Sequence, residues 1–106
     1  MRNLLTDIEG LRVGHAHDTA LASGVTAIII DADNVASVVT RGGAPGSRDT
    51  TLLEPEMTAQ GVNAVVLSGG SLFGLDAAGG VCNYLRGTGA GLRIGPVNIP
   101  IAVQAI

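Results

Sequence analysis

The chain has 106 residues, enough for one small domain that would bury well over half of its unfolded surface if it folded alone. Aromatic residues make up 2% of it, namely Phe73 and Tyr84, so packing must come from Val, Ile, Leu and Ala fitted around 16 glycines. The net charge of -3 arises from 9 acidic and 6 basic residues. Every basic residue is an arginine and they are scattered singly, which argues against nucleic acid, because phosphate binding needs a basic stripe.

Cys82 is alone, so no internal disulfide is available and no oxidising compartment is indicated. Residues 1–20 lack a basic amino-terminal region with an apolar run and a cleavage site, and no apolar stretch reaches the ~18 residues that span a bilayer. A cytoplasmic setting is the default expectation.

In chain order, "GVTAIIIDAD" (24–33) and "NVASVVTRGG" (34–43) read as two strands of a hairpin turning at "DADN". The consecutive apolar positions Ala27 to Ile30 predict that both faces of the first strand are covered. A glycine and proline loop, "RGGAPGS", then runs into a short helix, Leu52 to Gln60, capped by Asp49 or Thr50 and limited by Pro55. "VNAVVLS" (62–68) reads as a strand and "SLFGLDAAGGVCNYLR" (71–86) as a helix that ends in "GTGAG". "LRIG" and "NIPIAVQAI" read as strands, the second an edge or bent strand because of Pro100. The final "IAVQAI" stops within an apolar strand, which suggests a fragment or the product of a longer chain. No repeat, low-complexity tail or linker divides the chain, so residues 1–106 are read as one domain or amino-terminal fragment.

Gly74, Gly79 and Gly80 stand where helix is predicted, and each costs ~1 kcal/mol relative to alanine. The reason must be contact, since a residue without Cβ lets backbones approach closely. Tight helix-on-sheet packing is the favoured reading for Gly79 and Gly80. For Gly69 and Gly70, in the turn before the helix, packing and ligand binding by helix amides stand level.

Three sharper motifs fail on spacing. The dinucleotide fingerprint G-x-G-x-x-G is not matched, and a P-loop is excluded because the chain has no lysine. The nucleophile elbow G-x-S-x-G is a near miss around Ser71, with Phe73 where its last glycine belongs. Ser71 as nucleophile would use His15 or His17 as base, but capping the following helix is the favoured role. "GHAHD" (14–18) sets His15 and His17 at i and i+2, a spacing that could bind a metal with Asp18. With no further histidine in the chain, a loop histidine bonded to backbone is preferred. Cys82 reads as a small core residue and Arg48 as part of an ion-pair cluster holding the loop, while Arg41 stays open between structure and a substrate carboxylate.

The segments "TDIEGLRVGHAHD", "SGVTAII", "TRGGAPGSRDTTLLEP" and "VNAVVLSGGSLFGLDAAGGVCNYLR", in that order, resemble the amino-terminal part of the L-aminopeptidase/D-esterase family. That family includes the β-peptidyl aminopeptidases and is related to the endo-type nylon-oligomer hydrolases. The resemblance is close over residues 6 to about 86 and loose beyond. It implies an α/β (α+β) fold that is part of an αββα sandwich of the ornithine-acetyltransferase-like, self-processing type. It further implies a precursor about three times as long, cut into two chains, with the new amino-terminal Ser or Thr of the second (beta) chain as nucleophile. The family's nucleophile, oxyanion-hole asparagine, lysine and tyrosine all lie past the point where this sequence stops. No catalytic residue is therefore carried over onto this sequence, and no cofactor or metal is implied. What is carried over is a substrate pocket of Gly42, Gly43, Gly69, Gly70, Ser71 and Phe73.

The expectation is an amino-terminal part of an aminopeptidase or amidase, inactive alone, with a beta chain or missing half and further copies of itself as partners. A small peptide or amino-acid amide is the expected substrate. The alternatives are a shortened, non-catalytic binding or assembly subunit and, behind it, a serine hydrolase using Ser71.

Overall fold

Strand formation begins with an antiparallel pair, β1 (Leu11–Asp18) and β2 (Ser23–Ile30), in a computed structural model that describes residues 1–106. The further strands are β3 (Ser47–Arg48), β4 (Ala64–Ser68), β5 (Leu92–Ile94), β6 (Val97–Ile99) and β7 (Ala102–Ala105), with one α-helix, α1 (Ala77–Thr88). Five strands form one sheet in the order β1-β2-β4-β7-β3, and β5 and β6 form a separate hairpin. β4 and β7 run parallel, and α1 lies in the crossover between them. The protein is thus mixed α/β, and no helix is long and apolar enough to cross a membrane.

The period of two along each strand divides the core into two clusters, one on each face. On the α1 side, Ile29, Ala64, Val66 and Ala102 meet Ala78 and Leu85. On the other side, Val103 packs with Leu53 and Val62, joined by the half-buried Ile30, Val65 and Ile101. The reading that β2 is covered on both faces therefore holds, with Ile29 on one side and Ile30 on the other.

Three predicted elements differ. β2 folds back on β1, with register Leu11↔Ile30 to Asp18↔Ser23, and residues 34–43 form no strand. Both edges of β2 are occupied, by β1 and by β4, so the 34–43 segment has no place beside it. It is held instead by Asn34, whose amide accepts from Val62 N–H at 2.9 Å and donates to Val62 O at 2.8 Å. The helix expected over Leu52–Gln60 is only a 3-10 turn, Thr50–Leu53. Glu54 leaves helical geometry with ψ 146°, as the residue before a proline is driven to do, and Asp49 is left-handed and caps nothing. Pro100, finally, does not bend one strand but separates β6 from β7, which belong to different sheets.

The predicted helix over 71–86 is present as a 3-10 turn, Ser71–Asp76, that continues into α1. Gly89 closes α1 in the left-handed conformation at φ 81°. The glycines within it do not act as expected. Gly79 would place a Cβ 3.5 Å from the Arg48 guanidinium and Gly80 has nothing within 4 Å, so neither is a tight helix-on-sheet contact in this chain. Gly74 is the constrained one, since a Cβ there would collide with the carbonyl oxygen of Gly69.

Gly80→Ala is accordingly expected to stabilise the chain by ~0.5–1 kcal/mol, and Gly74→Ala to destabilise it by about 3 kcal/mol. Urea unfolding of the two variants beside the parent checks both signs.

Candidate functional site

A single amide organises the strand-to-helix turn. Gln104 lies on the α1 face of β7 beside β4 and is 1% exposed. Its Nε2 donates to Ser68 Oγ and to Gly74 O, each at 2.6 Å, and its Oε1 accepts from Ala78 N–H at 3.1 Å. Ser68 Oγ also donates to Gly74 O at 3.2 Å. No buried side-chain polar atom in the chain lacks a partner, so this network is complete.

The result is a turn fixed at both ends. Between Ser68 and Gly74 the backbone passes through two left-handed residues, Gly70 at φ 90° and Ser71 at φ 56°. Gly70 adopts this freely, whereas Ser71 carries strain there. Ser71 and Phe73 point outward, Phe73 being 90% exposed. The Ser71 hydroxyl makes no hydrogen bond, so the expected cap is absent.

The "RGGAPGS" loop meets this turn. Arg48 Nη1 donates to Leu75 O at 3.1 Å, and Gly46 stands where a Cβ would be 3.6 Å from Leu72. Arg48 is thus structural, as expected, but it acts on the turn; its contact with Asp49 is a loose 4.0 Å and Glu54 takes no part. Gly42, left-handed at φ 95°, and Gly43 lie exposed with no atom within 4 Å of a Cβ position. Arg41 is exposed and makes neither a salt bridge nor a side-chain hydrogen bond.

Two concavities flank the turn and helix. One, of about 340 Å³, is open and bordered by His17, Asp18, Ser23, Gly69, Phe73 and Gly74. The other, of about 510 Å³, lies between β1 and α1, with Gly14, Ala16, Ala27, Ala77, Gly80 and Val81 among its apolar lining. Of the pocket residues expected from sequence, Gly69 and Phe73 line the first. Gly42, Gly43, Gly70 and Ser71 line neither.

At one end of the larger cleft Arg12 reaches Asp31 through Nε at 2.7 Å and Nη2 at 2.9 Å, and donates from Nη1 to Tyr84 Oη at 3.1 Å. The bidentate hydrogen bonds from Arg12 hold the Asp31 carboxyl below the usual carboxylate range, and Asp31 in turn raises the Arg12 guanidinium.

His15 and His17 lie on β1 and not in a loop. Alternation puts both on one face and Asp18 on the other, so the three do not converge on a metal. His15 Nδ1 is 2.8 Å from Thr26 Oγ1 on the neighbouring strand, a side-chain partner where a backbone one was expected. No hydrogen bond links Ser71 to either imidazole, so the nucleophile-and-base pair of an elbow hydrolase is not formed in this chain. Cys82 packs at the margin of the α1-side core, in agreement with its reading as a small core residue.

Gln104, Ser68 and the constraint on Gly74 were missed by sequence reasoning. The signal was a lone amide in the apolar run "IAVQAI": on a strand it shares a face with Ala102, and a buried amide requires partners.

The model of peptidase family S58 matches residues 3–103. An uncharacterized aminopeptidase of Mycobacterium leprae is 40% identical over 98% of this chain and 31% of its own length. Uncharacterized aminopeptidases of Mycobacterium bovis and Mycobacterium tuberculosis are 39% identical over 98% of this chain and 33% of theirs. The chain therefore spans about a third of the length of the curated relatives it matches.

Gln104→Leu leaves the Ala78 amide and the Ser68 hydroxyl short of partners in a buried position, and is expected to cost about 2–4 kcal/mol in denaturant unfolding. The Asp31 interaction has the sign of a depressed carboxylate. Its stabilisation is complete above the unfolded pKa of ~3.9 and is lost as pH falls through the lower folded value. NMR titration of the Asp31 carboxyl carbon is expected to give a midpoint below the ~3.9 of an unperturbed aspartate, and Arg12→Gln to bring it back up.

Proposed function

The chain belongs to peptidase family S58, and on that premise we propose that it is the amino-terminal part of an aminopeptidase or amidase of the L-aminopeptidase/D-esterase kind. The parent hydrolyses the bond that follows a free amino-terminal residue in a peptide, amide or ester. One observation carries the reading: the family match over residues 3–103 coincides with about 40% identity to proteins named aminopeptidases.

The chemistry is acyl transfer through a Ser or Thr nucleophile outside these 106 residues, on a second chain released by self-cleavage. The hydroxyl oxygen attacks the scissile carbonyl, the amine departs with a proton, and water then cleaves the acyl-enzyme to regenerate the hydroxyl. This chain's share of the work is positional. The clamped turn holds Gly69 and Phe73 beside the open concavity at the end of β4 as part of the substrate-pocket wall, and the reading extends that wall to Gly70 and Ser71 between them and to Gly42 and Gly43 on the loop that meets the turn through Arg48.

The αββα sandwich belongs to the same reading. α1 covers one face of the sheet, while the opposite face leaves Leu67 47% exposed, as befits a surface that meets a second sheet. A beta chain, further copies of the protein and a cytoplasmic setting complete the proposal; the unpaired Cys82 requires no oxidising compartment.

Intact mass spectrometry of the full-length protein under denaturing conditions, alongside an assay with aminoacyl p-nitroanilides, tests this. The expected result is two polypeptides, the smaller beginning with Ser or Thr, and amine release that disappears when that residue becomes Ala. An uncleaved protein without amidase activity would refute the reading. Phe73→Ala is expected to raise KM about tenfold with a smaller change in kcat, as loss of a substrate contact does.

A further inference from the structure

β1 is the outermost strand of the five-stranded sheet, and its outer edge pairs with no other strand of this chain. Ile30 N–H bonds Asn63 O and Gly24 O accepts from Gly69 N–H, so the even positions of β2 face away from β1, and its odd positions bond Arg12, Gly14, Ala16 and Asp18. Val13, His15 and His17 consequently turn their N–H and C=O groups outward, where no strand lies.

Natural edges are guarded by charged side chains, lysine above all, by proline, bulges or shortness, or by a covering element. This one is 8 residues long, has no proline or lysine, and keeps an unbroken register from Leu11 to Asp18. From Gly14 to Asp18 it is exposed throughout. Its charges also have a symmetry. Arg12 and Asp18 each stand three positions from His15, on opposite sides, and both lie on the α1 face.

We propose that β1 pairs antiparallel with β1 of a second copy of this chain about a two-fold axis at His15. Outward groups then meet outward groups, Val13 with the second copy's His17 and His15 with its own counterpart. Arg12 falls opposite Asp18 of the other copy, twice over. Opposite charges directly across strands are favourable, and no other central register places them so. Arg12 retains free N–H groups for this after binding Asp31 and Tyr84, and Asp18 uses only Oδ1 internally, for Leu21 N–H. The pairing also joins two sheets into one and borders the cleft beside Gly14 and Ala16 with the same residues of the second copy. It needs no catalytic residue, only that the outer edge of β1 stays open in the protein as expressed.

The test is a cross-link set by register, in the protein as expressed with any further segment it carries, in a Cys82→Ser background. In an antiparallel hydrogen-bonded pair the Cα atoms lie about 5.5 Å apart, within disulfide range. His15→Cys is expected to give a disulfide-linked pair of chains under mild oxidation. His17→Cys is not, since the two copies of residue 17 would be roughly 13 Å apart along the strand. Val13→Pro removes an outward N–H from each copy and leaves the bonds to β2 intact, so it is expected to raise the Kd of self-association at least tenfold in sedimentation experiments. A chain that stays monomeric at high concentration, or equal cross-linking at positions 15 and 17, would overturn the proposal. Should Val13→Pro fail to fold, the cross-linking comparison still decides.

Discussion

A buried side-chain amide holds this structure together at the point where its elements meet. Gln104 ties β7, the last residue of β4, the carbonyl at Gly74 and the first turn of α1 into one unit. A buried amide is unfavourable unless each of its groups is bonded, and here the two donors and the acceptor all are. A network that is complete specifies one geometry, because any displacement of turn, strand or helix leaves a buried polar atom unpaired. That geometry accounts for Ser71, whose left-handed backbone is sustained by the fixed positions on either side of it.

The glycines divide on the same basis. Gly74 must be glycine, as the turn closes too tightly on the Gly69 carbonyl for any Cβ. Gly80 has no such reason within this chain, and it lines the wide cleft between α1 and β1. A mid-helix glycine that contacts nothing is destabilising, so the structure of the chain by itself does not explain it.

Elements with strong local signals were legible in the residues alone. The β-branched runs of β2 and β4 and the Gly89 stop of α1 stand close to where pattern places them. The family was legible too, because "RGGAPGSRDT" and "SGGSLFGLDAA" are specific in combination, and the structure brings the two together through Arg48 and Leu75. Pairing was not. The partner of β2 is β1, whose glycine and two histidines obscure its strand character, and the 34–43 segment had the better composition yet no open edge of β2 to join. Pro55 was recognised as a limit, but its effect on Glu54 shortened the helix to a single 3-10 turn. Gln104 was passed over since its significance depends on Ser68 and Gly74, which lie 36 and 30 residues away.

The claim that the amide network fixes the turn is tested most directly by hydrogen exchange at Ala78. This N–H sits in the first turn of α1, where an exposed helix start would exchange within seconds of local fraying. Bonded to buried Gln104, it is expected to exchange only with global unfolding, in step with the core amides of β4. Exchange as fast as that of the loop amides of Gly42 and Gly43 would contradict the account and leave the turn without its anchor.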